Sequence, residues 1–331
     1  MMTPRRTLFL LAGLLVATLP AQRSREDRNP PKDLEHGEFY TDTFRSKALG
    51  RSIGYGIYLP AGYNDEENKD RNYPMAVWLH GMFEDHERFH RRGGTNILDK
   101  MIGDGEVPEM IFVTADGGRS SFYVNGEKDR YEDMITEDLL AYIAEEYRVS
   151  EKRCERALMG VSMGGYGALK IALRNPQLFG VVAAHSAAVM PRDPGELEER
   201  FPWLKRWGGA RGALGKIFGD PVDRELWDRE NLLVLAEQLE PKTLGGLKVY
   251  MDCGDEDRYG FQEPNQELHG LLEAKRVPHT WRVVEGGNHG WRSGYNQAAL
   301  PHSLAFVAGA LAAGRGSAGL KGLLGTGKQD G

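Results

Sequence analysis

The sequence predicts an α/β protein with a mostly parallel central sheet and helices on both of its faces. Two patterns carry that prediction. Short, continuous apolar runs such as "YPMAVWLHG" and "EMIFVTADGG" end in glycine, as strands buried on both faces do. Segments with apolar residues at helical spacing lie between such runs, so strand and helix alternate along the chain. At 331 residues, with 40% hydrophobic and 27% charged residues, the chain has ordinary globular composition and enough length to cover a large sheet.

In chain order, "MMTPRR" is basic, "TLFLLAGLLVATLP" is apolar and Ala21 is small. Residues 1–21 thus read as a signal peptide, which predicts a periplasmic or extracellular protein. The apolar run is shorter than the roughly 20 residues that span a bilayer, so no stable membrane anchor is expected. Residues 22–35, charged and proline-bearing, read as a disordered linker. Tyr55, Ile57 and Leu59 alternate before "PAGYND", which predicts an early antiparallel hairpin. "YEDMITEDLLAYIAEEY" places Met134, Leu139, Tyr142 and Ile143 at helical spacing. "RALMGV" is the next strand, and the helix after it should stop at Asn175-Pro176. "GVVAAHSA", "LKVYMDCG" and "HTWRVVEGG" continue the strands, with helices at "QELHGLLEAK" and "AALPHSLAFVAGAL". The domain therefore runs over 36–313, and the glycine-rich stretch 314–331 reads as a flexible tail. Residues 189–246 break the rhythm and predict an irregular helical excursion. Its Trp203, Trp207 and Trp227 either shape a pocket or fill a satellite cluster.

The formal charge is −6 and no stretch gathers Lys and Arg on one face, which argues against nucleic acid as a partner. Chemistry is suggested by "GVSMG". With 42 glycines and 11 serines, chance alone supplies about 0.2 matches to G-x-S-x-G, so the bare pattern decides little. Context decides more. Ser162 stands where a buried strand turns into a helix, flanked by Gly160 and Gly164, as a strained nucleophile turn requires.

A serine hydroxyl needs a base, and the base needs an orienting acid. In this architecture both follow the serine, in the order acid then histidine, each after a strand. "CGDEDRY" supplies Asp257, with Asp255 in reserve, because Asp252 still lies within the strand; "GGNHGW" supplies His289. The backbone N–H groups of Met82, beside Gly81, and of Met163 are the expected oxyanion donors. Tyr123, His185, Trp291 and Tyr295 lie beside these loops, placed either to meet substrate or to pack. Such covalent chemistry calls for no cofactor and no metal.

The motifs "YLPAGY", "YPMAVWLHG", "MGVSMGGYGAL", "CGDEDRY" and "GGNHGW", in this order over roughly residues 38–311, resemble the esterase-D family of α/β-hydrolases. Feruloyl and acetyl-xylan esterases, S-formylglutathione hydrolases and mycolyltransferases belong to that group. The resemblance implies an α/β-hydrolase fold and a carboxylic ester hydrolase. Its triad would be Ser162, Asp257 and His289, its oxyanion amides Met82 and Met163, and its substrate an ester, such as an acetyl or feruloyl ester of carbohydrate. The leader favours an exported esterase over the cytosolic S-formylglutathione branch.

One rival is a metalloprotease. "HERFH", His86-Glu87-His90, matches H-E-x-x-H, which chance supplies only about 0.02 times here. It needs both histidines on one face of a helix, and Asn96 stands where the longer motif has its third histidine. A second rival is an inactive binding relative, although serine, acid and histidine are all present. Cys154 precedes the nucleophile strand and Cys253 ends a parallel one. They should lie more than about 10 Å apart, too far for a disulfide.

Overall fold

The computed structural model of the protein describes residues 34–314. The leader 1–21, nearly all of the 22–35 linker and the tail beyond residue 314 lie outside the described residues.

Eight strands form one sheet: β1 (Glu38–Arg45), β2 (Ser52–Leu59), β3 (Met75–Leu79), β4 (Ile111–Ala115), β5 (Arg156–Val161), β6 (Val181–His185), β7 (Lys248–Gly254) and β8 (His279–Val284). Their spatial order is β1-β2-β4-β3-β5-β6-β7-β8. The expected hairpin is β1 paired with β2; β2 also runs antiparallel to β4, and every other pairing is parallel.

Side chains alternate between the two faces of a strand, and here both faces are covered. Val77, Leu79, Leu158 and Met251 face one core with Leu169 and Leu268 of the helices Met163–Arg174 and Gln262–Ala274. Trp78, Met159 and Tyr250 face the other, with Leu98 and Leu304 of the helices Gly94–Gly103 and Tyr295–Gly314. The last helix thus reaches the first residue of the expected tail. The segment expected as one helix over 131–147 is helical as far as Glu146, but Met134–Leu139 adopts the wider π form. There Asp138 accepts hydrogen bonds from Ser46 Oγ and Ala48 N, at 2.6 and 2.9 Å, beside the β1–β2 turn. The helix after β5 ends at Arg174, because proline disfavours helical geometry in the residue before it.

The excursion contains the helices Gly209–Phe218, Arg224–Glu230 and Leu232–Gln238. A buried ion pair holds it down. Lys170, fully buried on the helix after β5, donates to Glu230 Oε2 and to the Tyr123 carbonyl, both at 2.7 Å. Burial alone would raise the Glu230 carboxyl, but the Lys170 and Arg174 cations overcome it and hold it at about 2. Cys154 and Cys253 are unpaired.

Candidate active site

The turn after β5 puts Ser162 at φ 57°, ψ −119°, a conformation that costs a side-chain-bearing residue about 1–3 kcal/mol. Closure of the backbone around it sustains the strain. Its N–H donates to the His185 carbonyl, and its own carbonyl accepts from Tyr166 N and Ala188 N, each at 2.9 Å. Only glycine fits on either side. A Cβ on Gly164 would sit 2.0 Å from the Leu79 oxygen, and one on Gly160 would sit 2.4 Å from the Gly164 oxygen. Ser162 therefore stands beyond the carboxyl end of the sheet, on the floor of a cavity of about 260 Å³.

Two backbone N–H groups border that floor. Met163 opens the helix Met163–Arg174, so its N–H has no intrahelical partner and lies at the positive end of the helix dipole. Met82 lies in the loop after β3. Its neighbours' N–H groups are taken: Gly81 donates to Glu84 Oε2 at 3.0 Å and Phe83 to the Arg119 carbonyl at 2.7 Å. The Met82 N–H between them meets no partner among the described residues. This loop abuts the serine, since a Cβ on Gly81 would be 3.5 Å from Ser162 Cβ. His80 pins it from below: its Nδ1 donates to the Gly81 carbonyl at 2.8 Å and its Nε2 accepts the Gly117 N–H at 2.9 Å.

The loops after β7 and β8 bring Asp257 and His289 together. Asp255 N donates to the Val284 carbonyl at 3.3 Å and Glu256 N to the Gly287 carbonyl at 2.9 Å, tying one loop to the other. Asp255 and Glu256 stay exposed at this crossing, while the Asp257 carboxylate is fully buried. It accepts the Tyr259 N–H at 2.9 Å on Oδ1 and the His289 Nδ1–H at 2.7 Å on Oδ2. With Nδ1 engaged as the donor, Nε2 is the ring nitrogen left to accept a proton. His289 lines the same cavity as Ser162, Met82 and Met163, its ring set against Tyr259 at 4.7 Å and Phe261 at 5.7 Å.

The family model described as "Putative esterase" matches residues 46–307. The chain belongs to this esterase family. A xylanase/feruloyl esterase of Xylanibacter ruminicola is 30% identical over 155 residues, covering 45% of this chain and 21% of that one. An esterase of Mycobacterium tuberculosis is 28% identical over 265 residues, 74% of this chain and 54% of the other. The chain thus spans about a fifth and about half the length of these two relatives. An acetyl esterase of Caldicellulosiruptor saccharolyticus is 25% identical over 75% of this chain and 90% of its own. The solved structure of a ferulic acid esterase superposes with a TM-score of 0.68 at 28% identity, over 83% of this chain and 99% of that one. The α/β-hydrolase fold expected from the sequence is the fold observed.

Within this family setting the remaining candidates divide. Trp291 lines the cavity, although it is largely buried. Tyr123 and His185 are buried and do not line the cavity, so of the two roles the sequence left open the structure gives them packing, not contact with substrate. Tyr123 is fully buried and donates from its hydroxyl to the His80 carbonyl at 3.2 Å, so it supports the loop after β3. His185 is buried at the end of β6 and donates from Nδ1 to Asp252 at 2.9 Å; Tyr295 is buried with its hydroxyl on the same carboxylate. The excursion tryptophans split as well. Trp203 and Trp207 line the cavity, whereas Trp227 is buried and donates to the Pro191 and Arg192 carbonyls. The H-E-x-x-H pattern lacks its helix. Only Arg88–Arg91 is helical, His86 precedes it beside Gly54, and His90 stacks on Phe39 at 4.2 Å.

Sequence reasoning missed Phe83, Glu84, Arg88, Arg92 and Arg258, all of which line the cavity. Glu84 is the one acid among the lining residues. Burial raises its carboxyl, opposed by the Gly81 N–H and by His80, Arg88 and His289. Arg88 and Arg258 fall within "HERFH" and "CGDEDRY" but at positions to which neither pattern gives a role, and the other three are marked only by their place in loops beside the predicted site.

Proposed function

We propose that this chain is an exported serine carboxylesterase, with Ser162 as nucleophile, His289 as general base and Asp257 as its orienting acid. The observation that carries the reading is the 2.7 Å bond from His289 Nδ1 to a buried carboxylate, in the one cavity that also holds a strained serine. His289 Nε2 takes the Ser162 proton as Oγ attacks the ester carbonyl. The Met82 and Met163 N–H groups hold the resulting oxyanion. Collapse expels the alcohol, which leaves with the proton from His289. Water then attacks the acyl-serine through the same base and releases the acid. Neither metal nor cofactor enters these steps.

The substrate reading follows the cavity wall. Phe83, Trp207, Trp203 and Tyr259 form a chain of edge-to-face rings with centroids 4.9, 5.2 and 5.3 Å apart. Such a wall suits a flat acyl group or the apolar face of a sugar. Together with relatives named as feruloyl and acetyl esterases, it supports acetyl or feruloyl esters of carbohydrate. Export rests on the leader pattern. Among the described residues, no helix is long and apolar enough to cross a membrane.

The test is Ser162→Ala assayed on p-nitrophenyl acetate. The variant should lose at least about 10⁴-fold in kcat while its circular dichroism and melting stay native. Retained hydrolysis refutes the nucleophile, and no turnover by the native chain on any simple ester favours a binding relative instead.

A further inference from the structure

The cavity carries a charge pattern that ester hydrolysis by itself does not demand. Three arginines line it: Arg88, Arg92 and Arg258. Arg88 is engaged, its Nε 3.5 Å from Glu84 Oε1. Arg92 is half-buried just after the Arg88–Arg91 turn, and Arg258 is exposed just after Asp257. Neither meets a carboxylate among the described residues. Arg258 lies over the Tyr259 ring, 4.9 Å from its centroid, and donates to that tyrosine's hydroxyl at 3.2 Å. A further guanidinium, Arg119, lies 5.4 Å from the ring of Phe83, another lining residue.

Elsewhere in this acidic chain several arginines sit on acids. Arg91 pairs with Asp85, Arg192 with Glu237 and Glu267, and Arg224 with Asp228. Three arginines against the single carboxylate of Glu84 among the lining residues make the cavity a local excess of positive charge in a chain of net charge −6. Glu84 does not cancel it, because its carboxylate is already held by Gly81 N and Arg88. A guanidinium presents a planar fork of N–H donors that fits a carboxylate bidentately. The Tyr259 ring holds the Arg258 guanidinium and its hydroxyl takes one Nη2 hydrogen, which leaves the remaining N–H donors of the fork for a ligand.

We infer that the natural ester is anionic, carrying a carboxylate near the scissile bond that Arg92 and Arg258 recognise. This rests on the esterase reading and adds the substrate class and two residues that select it. The charge can sit on either part of the ester, so two matched pairs separate the cases. Methyl 4-acetoxybenzoate against 4-acetoxybenzoate puts it on the leaving group. The 4-nitrophenyl ester of benzoate against that of 4-carboxybenzoate puts it on the acyl group. Each kcat/KM is divided by the ester's own hydroxide-catalysed rate.

At least one anionic member should exceed its neutral partner by about tenfold, the lower end of electrostatic focusing. That ratio should shrink as salt rises towards about 1 M, where charges a few ångströms apart are screened. It should fall to near one in the Arg92→Gln/Arg258→Gln double variant. Equal rates in both pairs overturn the inference, as does a preference that survives high salt or the double substitution. Turnover of neutral members alone leaves the esterase reading standing while the substrate class fails; no turnover of any of the four defeats the esterase reading itself.

Discussion

Two histidine–carboxylate pairs stand one strand apart at the same end of the sheet. His185 and Asp252 are register neighbours on β6 and β7, joined from Nδ1 at 2.9 Å. His289 and Asp257 lie in the loops after β8 and β7, joined from Nδ1 at 2.7 Å. By bond chemistry they are nearly the same object. By position they are not. The His185 ring is enclosed by Trp78, Tyr250 and Tyr295, and its Nε2 meets no partner among the described residues. The Asp252 carboxylate also accepts the hydroxyls of Tyr250 and Tyr295. The second pair starts five residues further on and opens into the cavity beside Ser162. A histidine–aspartate pair therefore has a catalytic reading only where its ring lines a cavity shared with a candidate nucleophile. Inside the sheet it is a packing element.

The sharpest way to break this comparison is to neutralise each acid in turn. Asp257→Asn should lower kcat on p-nitrophenyl acetate by about 10⁴-fold, because the imidazole loses its enforced tautomer and the partner for its charge. Asp252→Asn should leave kcat within about threefold of native but lower stability by about 3–5 kcal/mol in chemical denaturation, the scale of disrupting a buried pair. If the two variants exchanged these phenotypes, the catalytic assignment would pass to His185.

Glu230 sharpens the contrast, being a buried carboxylate held by full cations instead of a histidine. Its folded value of about 2 lies below the ordinary 4.5, so its contribution to stability is complete above pH 4.5 and drains away as pH falls through about 2. Acid denaturation should show this loss, about 3 kcal/mol in scale, largely removed in Glu230→Gln. The smallest effect expected is that of Tyr295→Phe, which removes one hydroxyl from Asp252. It should cost about 1 kcal/mol in stability and leave ester turnover unchanged. A fall in turnover comparable to that of Asp257→Asn would mean the inner pair communicates with the site.

Much of this was legible along the chain. The strands beginning at Met75, Ile111, Arg156 and Val181 are apolar on both faces, a pattern that only burial on both sides explains. Ser162 between two glycines, followed by an acid and a histidine after successive strands, is a one-dimensional signal because each loop leaves its strand at the same sheet edge. Asp252 could be set aside on strand position alone. Tyr123 could not: proximity to a catalytic loop says nothing about whether a ring points into the cavity or under it. The three tryptophans of the excursion were equivalent on paper and divided two to one in space.

What the sequence determined by itself was periodicity and order: which runs are buried, where the chain must turn, and in what order the candidate nucleophile, acid and base follow one another. These depend on neighbours a few residues apart, and backbone sterics act at that range. The tertiary structure alone decided which side chains face the cavity, which cations stay unmatched there, and which histidine sits in the wall instead of the site. Those outcomes depend on contacts between residues tens to hundreds of positions apart, such as Glu132 with Lys170 and Lys170 with Glu230, where burial and charge pairing leave no local trace.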